Sequence, residues 1–431
     1  MRDPSAEEVQ SLVQLARKRG ARAAEALWQG ETGLNLLSKG GRAPTSTPHQ
    51  RERLHLRVWT EAGVGSAAGS LAAPEQAIDA AFRAIQPTAP SDGPVSRLHP
   101  LAAGLAVDDR RFGQLTLDDR LDVLRDAESD AVLPDPRFTA SEFGYEDRSV
   151  RRLFASTAGA RAQDRSTTFR AWASGAVQPT AQTAISLTAE VSARSFSSVA
   201  SLPFGGELVR RAAALLAPPV LLPRGPVRVL LGSRQAAALL DRLARLCLPN
   251  VVESTFLAAA VLDPRIHLVD DPTSPNGLRT RAFDDRGVPP IPITLVRQGR
   301  AHATPLDART AAERDVRPSG HETDDELQPS NLMFRHGTRS VHVILGELGG
   351  ATFAPDDLAG FLGLDPHTGE FAATVHGTVF EGARPVGPAL GVRLSGRLDD
   401  ILSRVVEVSG ETDRIGHVDA PAMVLDGFSV G

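Results

Sequence analysis

The chain has 431 residues, 42% hydrophobic and 23% charged, with 47 basic and 52 acidic side chains, a net charge of −5 and one cysteine. That length allows two full hydrophobic cores, and the composition excludes a collagen-like, disulfide-stapled or wholly disordered chain. The acidic balance and the 5% aromatic content argue against a nucleic-acid partner, and lone Cys247 excludes both an internal disulfide and a thiolate-rich zinc site.

The opening MRDPSAEEVQ has no basic-then-apolar signal pattern, so a cytoplasmic protein is expected. Ser5 and Glu8 form an S-x-x-E capping box, and Val9, Leu12, Val13 and Ala16 follow at helical spacing up to Gly20. A helix is predicted over 5–19. Residues 53–59 alternate Leu54, Leu56 and Val58 with polar partners, which predicts a half-buried strand. Gly63, Gly65 and Gly69 then mark a glycine-rich hairpin with a close backbone approach; they do not lie between a strand and a helix, so a phosphate cradle fits poorly. Pro74 opens a helix over 74–86 with an Ile78, Ala81, Phe82, Ile85 stripe. Residues 87–115, with four prolines, read as an irregular connection, and Thr116 caps a helix near 117–129.

From 137 to 193 short strands are predicted, including 148–156 and 183–191, followed by a helix near 206–217. The proline cluster 218–226 is the best domain boundary. Beyond it come a buried strand at 227–231, an apolar helix at 234–247, and many short strands with glycine turns, interrupted by helices near 355–363 and 397–407. Residues 309–329 are polar and read as a mobile loop. No run of about 18 apolar residues exists, so no membrane span is expected. The fold class is α+β: a mixed sheet with flanking helices over 1–218, then a largely antiparallel, barrel- or sandwich-like domain over 226–431.

Little in the residue pattern alone points to catalysis. Among eleven histidines, the His-Glu pair is His321-Glu322, and Asp325 and Glu326 stand where a second helical zinc ligand belongs, so this segment reads as a solvated loop. His336, His342 and His376 lie on or near predicted strands and read as packed or surface side chains. No G-x-S-x-G elbow is present. Cys247 ends an apolar helix, where a buried inert thiol is favoured over an activated one. The pairs Asp270-Asp271 and Asp284-Asp285 could hold a cation or share a proton. Each adjoins turn residues, where aspartate is favoured for local backbone hydrogen bonds.

The run RIHLVDDPTSPNGLRTRAFDDRGVPPIPITLVRQG at 265–299 resembles the C-terminal domain of the TldD/PmbA (TldE) family of modulator-of-gyrase-type metallopeptidase subunits. Thr310-Ala311, Ser319-Gly320, Pro329-Ser330-Asn331-Leu332, Gly369-Glu370-Phe371 and the closing APAMVLDGFSVG match further family motifs in order. The helix 5–19, the strand 53–59 with GVGSAAG and the helix 74–86 also fit. The resemblance implies a catalytic branch with H-E-x-x-x-H on the helix after the first strand of this domain. In this chain Asp241 stands at the first His, Arg242 at the Glu and Leu246 at the second His, and no cysteine follows Cys247.

By that departure the chain resembles the non-catalytic branch. The resemblance then implies no resident cofactor, zinc on a TldD-like partner subunit, a heterodimer (or a homodimer in isolation), and short or unfolded peptides as substrates. Asp270, Asp271, His321 and Asn331 are the candidates for contacts with a peptide or the loops around it. Two other readings remain open: a self-sufficient divergent hydrolase using residues around 267–285 and 321–326, and a peptide-binding scaffold without any peptidase partner.

Overall fold

The computed structural model describes residues 3–87, 93–94, 104–249, 260–357, 364–365 and 367–431. The chain is α+β. Helix α1 (Ala6–Lys18) starts at the expected capping box, with Ser5 and Glu8 bonded reciprocally. Six strands follow: β1 (Ala23–Lys39), β2 (Thr45–Thr60), β3 (Gly63–Gly69), then after α2 (Pro74–Arg83) and α3 (Leu117–Asp130), β4 (Phe138–Ser156), β5 (Arg161–Thr180) and β6 (Thr183–Ala193). They form one sheet in the order β3-β2-β1-β4-β5-β6, and every neighbouring pair is antiparallel. This corrects the expected mixed sheet. Short hairpin links within each triplet force antiparallel pairing, and β4 returns alongside β1 running opposite to it.

Alternation along β1 sends Ala24, Ala26 and Trp28 to a core under α1 and α2, and Leu27 to the opposite face. Gly65 is required where α2 crosses β3: a Cβ there would lie 2.2 Å from the Ala81 carbonyl oxygen. Toward the β6 end, α3, α4 (Phe196–Ala200) and α5 (Phe204–Leu216) cover a second core around Tyr145, Phe169 and Leu208.

The C-terminal sheet is built from β7 (Gly225–Leu231), β8 (Leu268–Asp270), β9 (Ile293–Arg297), β10 (Arg300–Ala301), β13 (Leu332–Phe334), β14 (Ala351–Pro355), β15 (Glu370–Glu381), β16 (Arg384–Arg397), β17 (Val405–Ile415) and β18 (Val418–Val430); β11 (Glu322–Thr323) and β12 (Glu326–Leu327) pair separately. Helix α6 (Ser233–Leu246) follows β7, and α7 (Ala308–Glu313), α8 (Val341–Leu348) and α9 (Leu398–Ser403) lie among the later strands. The sheet is mixed: β13 runs parallel to β18 and β14 parallel to β7. Pairings from β18 through β16, β15, β14 and β7 return to β18, so this part closes into a ring. Residues Val229, Leu231, Met423 and Leu425 face a core shared with α6, and Leu230, Ala422 and Val424 face α8.

Three local expectations change. Helix α8 was absent from the sequence pattern; Ser340 caps it, and His342 lies on this helix, not on a strand. At 355 a strand ends, and the helix expected near 355–363 lies largely outside the described residues. The 309–329 segment is not a solvated loop: it carries α7 and the β11–β12 hairpin, and Ser319, His321 and Glu322 are buried.

Candidate functional site

The helix at the first candidate position forms because its apolar residues share one side. Ala236, Ala237, Leu239, Leu240, Leu243, Ala244 and Leu246 are buried, leaving Arg234, Ala238, Asp241 and Arg245 along the outer stripe. The three motif positions therefore diverge. Asp241 faces outward, Leu246 is 3% exposed in the core, and Arg242 donates to the Leu364 carbonyl at 3.2 Å.

Both carboxylate oxygens of Asp241 are engaged. Oδ1 lies 2.8 Å from Nε2 of His417, which sits in the turn between β17 and β18, and Oδ2 accepts from Nε of Arg245 at 2.9 Å. Burial pushes the Asp241 carboxyl up, but the hydrogen bonds from His417 and Arg245 outweigh it and hold it down at about 2. Arg279 also interacts with this carboxylate; burial holds its guanidinium below its usual range.

A zinc ion needs about three protein ligands and an open position for water. Here Asp241 and His417 supply two donors that are bonded to each other, and two of the three motif side chains are a guanidinium and a core leucine. Among the described residues no three His, Cys, Asp or Glu side chains are grouped to hold a metal ion. The donor set does not fit zinc. Cys247, just past α6, has its thiol pushed up to about 12 by burial, which keeps it protonated and inert.

Beside the outer stripe of α6 runs a cleft of about 770 Å³ between the two sheets, lined by Glu190, Ser192, Leu202, Phe204, Arg234 and Ile415 among others. Its one wall is β6, which ends the N-terminal sheet and pairs only with β5 among the described residues. The opposite wall is the end of β17 with Gly416 of the β17–β18 turn, next to His417. Arg211 of α5 donates to the Thr188 carbonyl of β6 and pairs with Asp356, just past β14, which ties β6 to the C-terminal domain.

The other candidates lie elsewhere and are mostly internal. Asp270 and His321 are both 0% exposed and meet at 3.5 Å, Asp270 Oδ2 to His321 Nε2. Asp270 accepts from the Ser330 amide and hydroxyl, and His321 Nδ1 bonds the Ser319 carbonyl. Asn331 donates to the Asp271 carbonyl and to Thr280, and accepts from the Arg279 amide. Asp271 accepts from the amide and hydroxyl of Thr273, the local turn bonding expected of aspartate there. The Asp270, His321 and Asn331 side chains hold the 270–280 and 319–331 loops to each other, Asp271 fixes its own turn, and none of the four lines the cleft. Asp284 is likewise internal, accepting from the amides of Arg286, Val288 and Glu322.

Sequence reasoning missed His417 and Arg245. Arg245 was legible as an i,i+4 partner of Asp241. His417 was not, because it reaches Asp241 across 176 positions.

Comparison with known proteins agrees with this architecture. The PmbA/TldA metallopeptidase central domain matches residues 110–216, and the PmbA/TldA metallopeptidase C-terminal domain matches residues 225–431. No curated protein matches the sequence. Among solved structures, a protein from Thermotoga maritima described as a modulator of a DNA gyrase superposes with a TM-score of 0.84 at 20% identity, covering 99% of both chains. A Bacteroides thetaiotaomicron protein described as a modulator of DNA gyrase gives 0.84 at 16% identity over 100% of both. TldE from Thermococcus kodakarensis gives 0.82 at 16% identity, over 99% of this chain and 100% of that one. These likenesses establish a shared fold, and the two matched domains together span well over half of the sequence: the chain belongs to the PmbA/TldD family.

Proposed function

We propose that this chain is a metal-free subunit of a PmbA/TldD-type peptidase assembly, holding extended peptide while a partner subunit bearing H-E-x-x-x-H supplies the zinc and the cleavage. The observation that carries the reading is the state of Asp241: His417 and Arg245 occupy both its oxygens, and cationic or core side chains fill the remaining motif positions. Each oxygen of this carboxylate already accepts a hydrogen bond, so an ion would have to compete with those donors, and the guanidinium beside it repels a dication.

The cleft suits an extended segment. The free edge of β6 can pair with a peptide main chain, which binds without demanding a particular sequence, and Leu202 and Ile415 give apolar contact to alternate side chains. Short or unfolded cytoplasmic peptides are the substrates this reading implies, reached inside the complex with the partner. No described helix is long and apolar enough to cross a membrane.

The test is metal analysis of the purified chain together with peptide cleavage, alone and after adding a partner that carries the intact motif. The expected result is no stoichiometric zinc, no cleavage alone, and cleavage with the partner. One zinc per chain, lost on Asp241→Ala, overturns the reading.

A further inference from the structure

Among the contacts between the N-terminal sheet and the C-terminal domain, two differ sharply in chemistry. One is apolar: Phe283 packs with Leu27, Phe154 and Ala162 of the sheet, with the Arg152 guanidinium 4.6 Å from its ring. The other is almost wholly ionic and is made by the β11–β12 hairpin. Arg53, His55 and Arg57 alternate along β2 and so share one face, opposite Gln29, Leu27 and Glu25 of β1. Onto that row dock the two turn residues of the hairpin. Asp324 pairs with Arg53 at 2.5 Å, and Asp325 pairs with Arg57 and lies 3.4 Å from His55. Both turn residues are held at positive φ, 53° and 64°, without being glycine, a conformation that costs energy unless something fixes it.

Behind the turn, the hairpin is rooted through Glu322. Its carboxylate accepts from the Ala308 amide at the start of α7 and lies 3.7 Å from Arg286. Arg286 in turn bonds Glu25 of β1 at 2.5 Å, and Glu25 lies 3.9 Å from Arg57. Asp284 faces Glu322 from the other side and accepts its amide, and Asp285 accepts the Asp324 amide. Apart from Leu327, the hairpin buries no apolar side chain. Its hold on β2 therefore rests on charge.

We propose that the β11–β12 hairpin is a releasable latch between β2 and the C-terminal domain, and that the ionisation of Glu322 sets how firmly it holds. The latch stands apart from the α6 site and does not depend on how that site is read. The direction follows from the surroundings. Burial, helped by Asp284, pushes Glu322 up to about 7 against the opposing pull of Arg286, the Ala308 amide and Arg57. Released to water, the group returns toward its ordinary 4.5. The closed latch thus prefers the protonated acid. Its hold is complete below about pH 4.5, weakens as pH rises toward about 7, and levels off above that. His55 works the other way. Burial, Arg57 and Arg53 hold it below its ordinary 6.5 against Asp325 and Glu25, so its protonation at lower pH opposes closure. Comparison with a Glu322→Gln chain, which keeps His55, isolates the glutamate.

The experiment is amide hydrogen exchange of the full chain from about pH 5 to 8, with protection factors corrected for the intrinsic rate. The protection of residues 322–327 in the wild type, relative to Glu322→Gln, is expected to fall at least tenfold over that range, a one-unit shift being tenfold. The amides of Phe154 and Ala162, on the sheet side of the Phe283 contact, are expected to stay constant. A wild-type hairpin with the same pH profile as Glu322→Gln, or a loss shared equally by the Phe283 contact, overturns the proposal. Should Glu322→Gln fail to fold, the wild type alone decides: raising salt must lower protection at 322–327 and leave the Phe154 and Ala162 amides unchanged.

Discussion

Asp241 compresses the chemistry of the α6 region into one carboxylate. It is partly exposed, so its pairs are screened by water, yet it joins a helix to a turn far along the chain. Asp241→Asn is expected to destabilise the protein by about 1 kcal/mol at neutral pH. The carboxyl sits below its ordinary 3.8 when folded, so its contribution is present above pH 3.8 and disappears as pH falls through about 2. Denaturant titrations of the wild type and Asp241→Asn should differ at pH 6 and converge near pH 2; curves that stay equally far apart would show that the pair contributes through shape instead of charge. At this scale the sequence was half legible. Asp241, Arg242 and Leu246, at the positions where the family resemblance expects imidazole, carboxylate and imidazole, could be read from the sequence, as could Arg245 one turn on. The burial of Asp270 and His321 could not, because nothing in a short run of polar residues announces that another loop will cover it.

At the scale of elements, the FDDRGVP run illustrates a motif that is easy to see and hard to interpret. Its phenylalanine is the apolar anchor against the N-terminal sheet, and Gly287 makes the anchor possible. Gly287 has φ +72°, and a Cβ there would lie 2.3 Å from the Phe154 ring. Gly287→Ala therefore meets both backbone strain and a steric clash, and thermal unfolding should report a loss of roughly 2 kcal/mol or more. A variant with unchanged melting would mean the contact relaxes without cost. Long amphipathic helices and capping boxes were plain in the sequence because each states its boundary locally, as Ser5 with Glu8 and Thr116 with Asp119 do. Helix α8 was not, since Val341, Val343 and Ile344 favour strands as isolated residues, and packing against β7 and β18 overrides that preference. Strands of two residues such as β11 and β12 carry no period at all, which is why the hairpin was mistaken for a loop.

For the whole molecule, the α+β class and the change of texture after the proline cluster were legible, whereas strand order was not, because pairing between distant segments leaves no local mark. The cleft between the sheets belongs to this scale, being made by residues from both. If it holds extended peptide, Leu202→Arg should weaken binding of an unfolded peptide about tenfold without shifting the melting temperature, since Leu202 is 46% exposed and supports little of the core. Fluorescence anisotropy with a labelled peptide measures this, and unchanged affinity would place the peptide elsewhere. Finally, β18 pairs with β7, β13, β16 and β17, every one of which precedes it along the chain. During synthesis those four strands emerge with their central neighbour missing. The growing C-terminal half must wait, open-edged, until residues 418–430 clear the ribosome, and in that interval it is a natural client for whatever in the cell shields unpaired strands from one another.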